Sequence, residues 1–108
     1  IARVPDSLAR DWRSGFSLTM TWTSEDHARA AAVFPRVLEL VRRLHEAGVT
    51  LTAGSDLAMP WLAPGSSLHR ELELLVEAGI PPLEVLRIAT GNAGRALGRR
   101  GDLGTLTP

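Results

Sequence analysis

From Phe34 onward the apolar residues Phe34, Val37, Leu38, Val41 and Leu44 recur at helical spacing. Arg36, Glu39, Arg43 and Glu46 fall largely on the opposite face. The pattern predicts a helix over 24–47 that packs along its length. Thr23, with Asp26 three residues on, resembles a capping box, and Glu25 and Asp26 suit a helix amino terminus. Gly48 suits the position just past the helix end. Pro35 has no N–H to give, so a kink or a fresh helical start is expected there. Upstream, Phe16–Trp22 alternates apolar and polar residues without a miss, the period of a half-buried strand. Residues 1–15 carry Pro5, Gly15 and mixed charge and read as loop, with a helical turn near Ser7–Trp12. Residues 1–23 are thus loop and one candidate strand.

Val49–Ala53 is β-branched and apolar and lies between two glycines, as a short buried strand should. It runs into a lone carboxylate, Asp56, and then a Pro/Gly loop over Met59–Ser66. Helices are predicted over 66–98. Ser66 or Ser67 caps the first, Leu68–Ala78, whose inner face is Leu68, Leu72, Leu75 and Val76 and which Gly79 ends. Pro82 opens the second, through Ala89, and Asn92 caps a last short helix ending at Gly98. Residues 99–108 form an exit segment. The order is helix, strand, acid, loop, helix, and in βα folds chemistry sits at the carboxyl ends of the strands. A lone buried strand cannot satisfy its own N–H and C=O groups. The strands that should flank 49–56 are therefore expected in chain beyond this sequence.

Composition narrows the function classes. A chain of 108 residues is one domain at most, and its 44% hydrophobic and 22% charged residues suit an ordinary globular chain. Net charge is zero, with 12 basic residues, all arginine, against 12 acids. Arg42-Arg43 and Arg99-Arg100 are pairs set among acids, so the electrostatic footprint of a nucleic-acid partner is missing. No apolar run approaches a membrane span, and no signal peptide is visible, which is compatible with a cytoplasmic location. Without cysteine there is neither a disulfide nor a thiolate metal site. The chain opens on Ile1 and stops at Pro108 with no closing element, as a piece of something longer would.

Gly48-Val49-Thr50-Leu51-Thr52-Ala53-Gly54-Ser55-Asp56 resembles the last barrel strand of the amidohydrolase superfamily, where an acid closes the metal site of a distorted (β/α)8 barrel. The resemblance continues through Pro64–Gly79 and Pro82–Ala93 and ends in Leu97-Gly98 and Gly101–Leu106. It covers about residues 37–108, and within the superfamily it is best for the imidazolonepropionase-like or prolidase-like branch. The fold class it implies is α/β: the carboxyl-terminal part of a TIM-like barrel, its last helix–strand–helix units, mostly helical in this stretch.

By this resemblance Asp56 would be both catalytic and a metal ligand. The metal would be divalent, most simply zinc, with one or two ions in the complete enzyme, which would hydrolyse a carbon–nitrogen bond with activated water. The substrate would be a small molecule or a peptide-like compound. Met59 and Trp61, in the loop after Asp56, either line its pocket or cover the barrel mouth; His69 either touches substrate or faces solvent. The family completes its metal site with a His-x-His pair, a bridging Lys or Glu and two further histidines. Here His27, His45 and His69 are isolated and lysine is absent. The stretch alone is therefore expected to be inactive and to bind no metal tightly. Its partners would be the remainder of the barrel and, in a homo-oligomer, a second copy. Two rivals stand beside this reading: a non-catalytic helical interaction module, and a paralogue with a dead metal site.

Overall fold

The computed structural model describes residues 4–13, 22–57 and 62–106. Helix α1 spans Asp6–Arg13, longer than the single turn expected, and it buries Ala9 and Trp12. The strand expected over Phe16–Trp22 lies, up to residue 21, outside the described residues.

Helix α2 runs unbroken over Ser24–Glu46. Its start is the expected capping box. The Asp26 N–H donates to Thr23 Oγ1 (3.2 Å), and the Thr23 N–H donates to Asp26 Oδ2 (2.8 Å). Trp22 and His27, flanking the box, meet with ring centroids 5.3 Å apart and planes tilted by 58°, and close this end as an N′–N4 contact. Pro35 neither ends nor restarts the helix. Its missing N–H orphans the Ala31 carbonyl, but residues 27–37 are all exposed, so water reaches that carbonyl. The predicted inner face is only half covered. Leu38, Val41 and Leu44 are partly buried, whereas Phe34 and Val37 are 41% and 45% exposed.

Helix α3 spans Ser66–Glu77, with Gly65 and not a serine at its cap. It ends in a Schellman motif: the Gly79 N–H donates to the Val76 carbonyl (2.8 Å), and the Ile80 N–H to the Leu75 carbonyl (3.2 Å). Gly79 stands at φ +96°, a conformation that disfavours any Cβ. The motif brings Leu75 and Ile80 together, and both belong to the core. Pro82 then opens α4, Pro82–Arg87, at its first position. The chain continues into a single π-helical turn, Ile88–Asn92, and then α5, Ala93–Ala96.

Helix α3 packs against both α2 and α4. Leu75, Ile80, Val85 and Ile88 form the core, with Val41, Leu51, Ala53 and Leu72 against it. It is small for the chain. The radius of gyration is 16.6 Å, against about 13 Å for a compact domain of this length. Among the described residues no strand forms, and 49–56, expected as a strand with its neighbours in chain beyond this sequence, has no ladder partner there. The physical reason is the one already given: a strand exists only by pairing, and no described segment lies alongside to pair with it.

Candidate functional site

The stretch 49–56 is held without a sheet. The Val49 N–H donates to the Leu44 carbonyl (3.0 Å) and fixes its start at the end of α2. Leu51 and Ala53, at period two, both pack against the core of Leu75, Ile80, Val85 and Ile88. Asn92, read from the sequence as a helix cap, caps nothing. Its backbone is helical (φ −69°, ψ −39°), and its side-chain Nδ2 donates to the Leu51 carbonyl (3.0 Å), 41 residues away. Asn92 sits beside Gly91, between Thr90 and Ala93. A short amide there is a signal for a cross-chain donor as much as for a cap.

At the end of this stretch Asp56 stands exposed at φ +47°, the one left-handed non-glycine position among the described residues. For an L-residue that conformation costs about 1–2 kcal/mol, least for Asp and Asn. No described residue donates to its carboxylate. A recess of about 460 Å³ opens beside the two preceding residues. Gly54, Ser55, Trp12, Leu62, Arg70 and Leu74 line it, together with the first turn of α3. Met59 and Trp61 lie outside the described residues. His69 is exposed in the first turn of α3 and lines two other recesses, one with Leu8 and Pro64 and one with Leu72, Val76 and Val85.

Several arginines are engaged locally. Arg70 donates to Glu77 (2.7 Å) and Glu73 (3.1 Å), which raise its pKa and turn its charge along α3. Arg42 and Arg43 both donate to Glu39, at 2.7–2.9 Å, and hold its carboxyl at about 2. Arg42 also pairs with Glu46, and Arg87 with Glu84. These are solvated intrahelical pairs, as the alternation of charge suggests.

Among the described residues no group of three His, Asp or Glu side chains comes together as a metal's donor set. His27, at the start of α2, packs its ring against Trp22, and His45 is half-buried at that helix's end. The described part of this chain offers Asp56 alone at the candidate site. No helix is long and apolar enough to cross a membrane among those residues.

No curated protein and no solved structure matches the chain. The model of the amidohydrolase family, whose members generally use divalent metals, matches residues 14–108. That span begins well before the resemblance visible from residue 37, and takes in all of α2. With nearly its whole length matched, and an acid at the end of the stretch on which the closing helices converge, the chain belongs to the amidohydrolase family.

Proposed function

We propose that this chain is the carboxyl-terminal portion of a metal-dependent hydrolase of carbon–nitrogen bonds: amide, cyclic amide or amidine. The observation that carries the reading is Asp56. It is an exposed acid in a strained backbone conformation, at the end of a stretch anchored to the core by Leu51 and Ala53. Strain at an over-determined position is characteristic of functional sites. Asp56 would accept the proton of the attacking water and return it to the nitrogen as the C–N bond breaks. Zinc is the ion proposed for the complete enzyme. The described residues do not assemble its donor set, so what this chain contributes is the proton chemistry of Asp56 itself. Met59, Trp61 and His69 are proposed to border a small-molecule or peptide-like substrate, in a cytoplasmic protein of the imidazolonepropionase-like or prolidase-like branch.

The fragment reading draws on the surface as well. Val33, Phe34, Val37 and Leu40 are 41–56% exposed along one side of α2, and 49–56 lacks the neighbours an extended apolar segment needs. The remainder of the barrel would supply both. The test is hydrolysis of a panel of N-acyl amino acids and cyclic amides by the full encoded protein, with Asp56→Asn beside it. Cleavage by the wild type and its loss in the variant is the expected result. Equal cleavage by both would overturn the assignment.

A further inference from the structure

We infer that Asn92 is a positioning residue for Asp56, acting through the backbone of 51–56. The inference rests on the reading of Asp56 as the site's acid and adds to it the device that sets where that acid stands.

Two different constraints are needed to place an extended stretch. Side-chain packing decides which face looks inward, and here Leu51 and Ala53 pack against the core of Leu75, Ile80, Val85 and Ile88. Packing of a period-two pattern does not by itself prevent a slide along the stretch, because a two-residue shift restores the same faces. A directional bond to one backbone atom prevents it. The Asn92 amide makes that bond at the Leu51 carbonyl, five residues before Asp56.

The helix that carries Asn92 is shaped to make the bond possible. Residues 88–92 form a π turn, wider than an α turn by one residue. An inserted residue advances every later side chain by about 100° around the axis. The direction in which Asn92 projects, relative to buried Val85 and Ile88, is therefore set by that turn.

The turn is itself clamped. Gly104 lies so close that a Cβ on it would overlap the Thr90 carbonyl, and a Cβ on Gly94 would overlap the carbonyl of Leu103. The Leu103 N–H in turn donates to the Arg99 carbonyl (3.2 Å). The segment 99–104 thus lies backbone to backbone on the turn that aims Asn92.

The experiment is an amide-resolved NMR comparison in the full encoded protein. Asn92→Asp keeps the shape and removes the donor; Ile88→Val loosens the same core and keeps it. The expected result is displacement of the Gly54, Ser55 and Asp56 amide signals in Asn92→Asp and not in Ile88→Val. Unmoved signals in Asn92→Asp, or equal displacement in Ile88→Val, would overturn the proposal. Should Asn92→Asp fail to fold, the wild type decides. A through-bond coupling between the Asn92 side-chain nitrogen and the Leu51 carbonyl carbon supports positioning, and its absence overturns it. These signals do not depend on turnover. Full hydrolysis by Asp56→Asn would overturn the role of the acid and leave the Asn92 result standing.

Discussion

The Asn92 side chain donates to the Leu51 carbonyl at 3.0 Å and joins the closing helices to the stretch that ends in Asp56. Both partners are partly buried, so loss of the donor leaves a carbonyl without its partner in a semi-apolar setting. Asn92→Ala is expected to lower stability by about 1–3 kcal/mol. Urea unfolding followed by circular dichroism measures it. A midpoint equal to wild type would mean that water replaces the amide without cost.

The contact between 99–104 and the π turn makes a sharper claim, because it depends on missing Cβ atoms. Gly94→Ala and Gly104→Ala would each drive a methyl into a carbonyl, at Leu103 and Thr90, and Gly104 also stands at φ +74°. Each is expected to cost about 1–3 kcal/mol or to displace the segment. Gly54→Ala, where a Cβ meets nothing within 4 Å and φ is not positive, should cost far less. Thermal unfolding of the three variants side by side tests the ranking.

Acid should weaken α2 through Glu39. Its folded pKa, held at about 2 by hydrogen bonds from Arg42 and then Arg43, lies below the usual 4.5. A depressed carboxylate pKa gives stability that is present above about 4.5 and lost as pH falls toward 2. The group is solvated, so the effect is small. Glu39→Gln should therefore be slightly less stable than wild type at pH 7, with the gap closing between pH 4.5 and 2. A gap that widened on acidification would contradict the pairing.

Much of the helical architecture was legible in the residues, and the reasons are local. Thr23 and Asp26 cap α2 because their spacing alone sets that geometry. Gly79 and Pro82 bound their helices for equally local reasons. What was not legible depended on neighbours. Pro35 passes through α2 because the helix around it is exposed, which no pattern of residues states. Val49–Ala53 has strand composition and forms no strand among the described residues, since pairing belongs to two segments and not one. Asn92 looked like a cap because Asn favours caps, and the π turn that redirects it leaves no periodic signature. Asp56 was legible as the candidate acid from its place after the apolar stretch, but its left-handed backbone was not.

The uncovered side of α2 leads to a prediction about the 108-residue chain by itself. Val33, Phe34, Val37 and Leu40 should drive self-association and dye binding at micromolar concentration. Phe34→Glu with Leu40→Lys should reduce both without lowering helix content. Sedimentation velocity would reveal it. A monomeric chain that binds no dye and unfolds cooperatively would favour the self-contained helical module.

The central claim is that Asp56 carries the proton chemistry of an amidohydrolase site, and its conformation makes one substitution informative. Asparagine tolerates a left-handed backbone as well as aspartate does and cannot take up a proton at neutral pH. The decisive measurement is the rate at which the full encoded protein and its Asp56→Asn variant hydrolyse N-acyl and cyclic amides, with thermal midpoints recorded for both. The account predicts a rate loss of about 10²–10⁴-fold at an unchanged or slightly raised midpoint. An Asp56→Asn protein that cleaves as fast as wild type would contradict it.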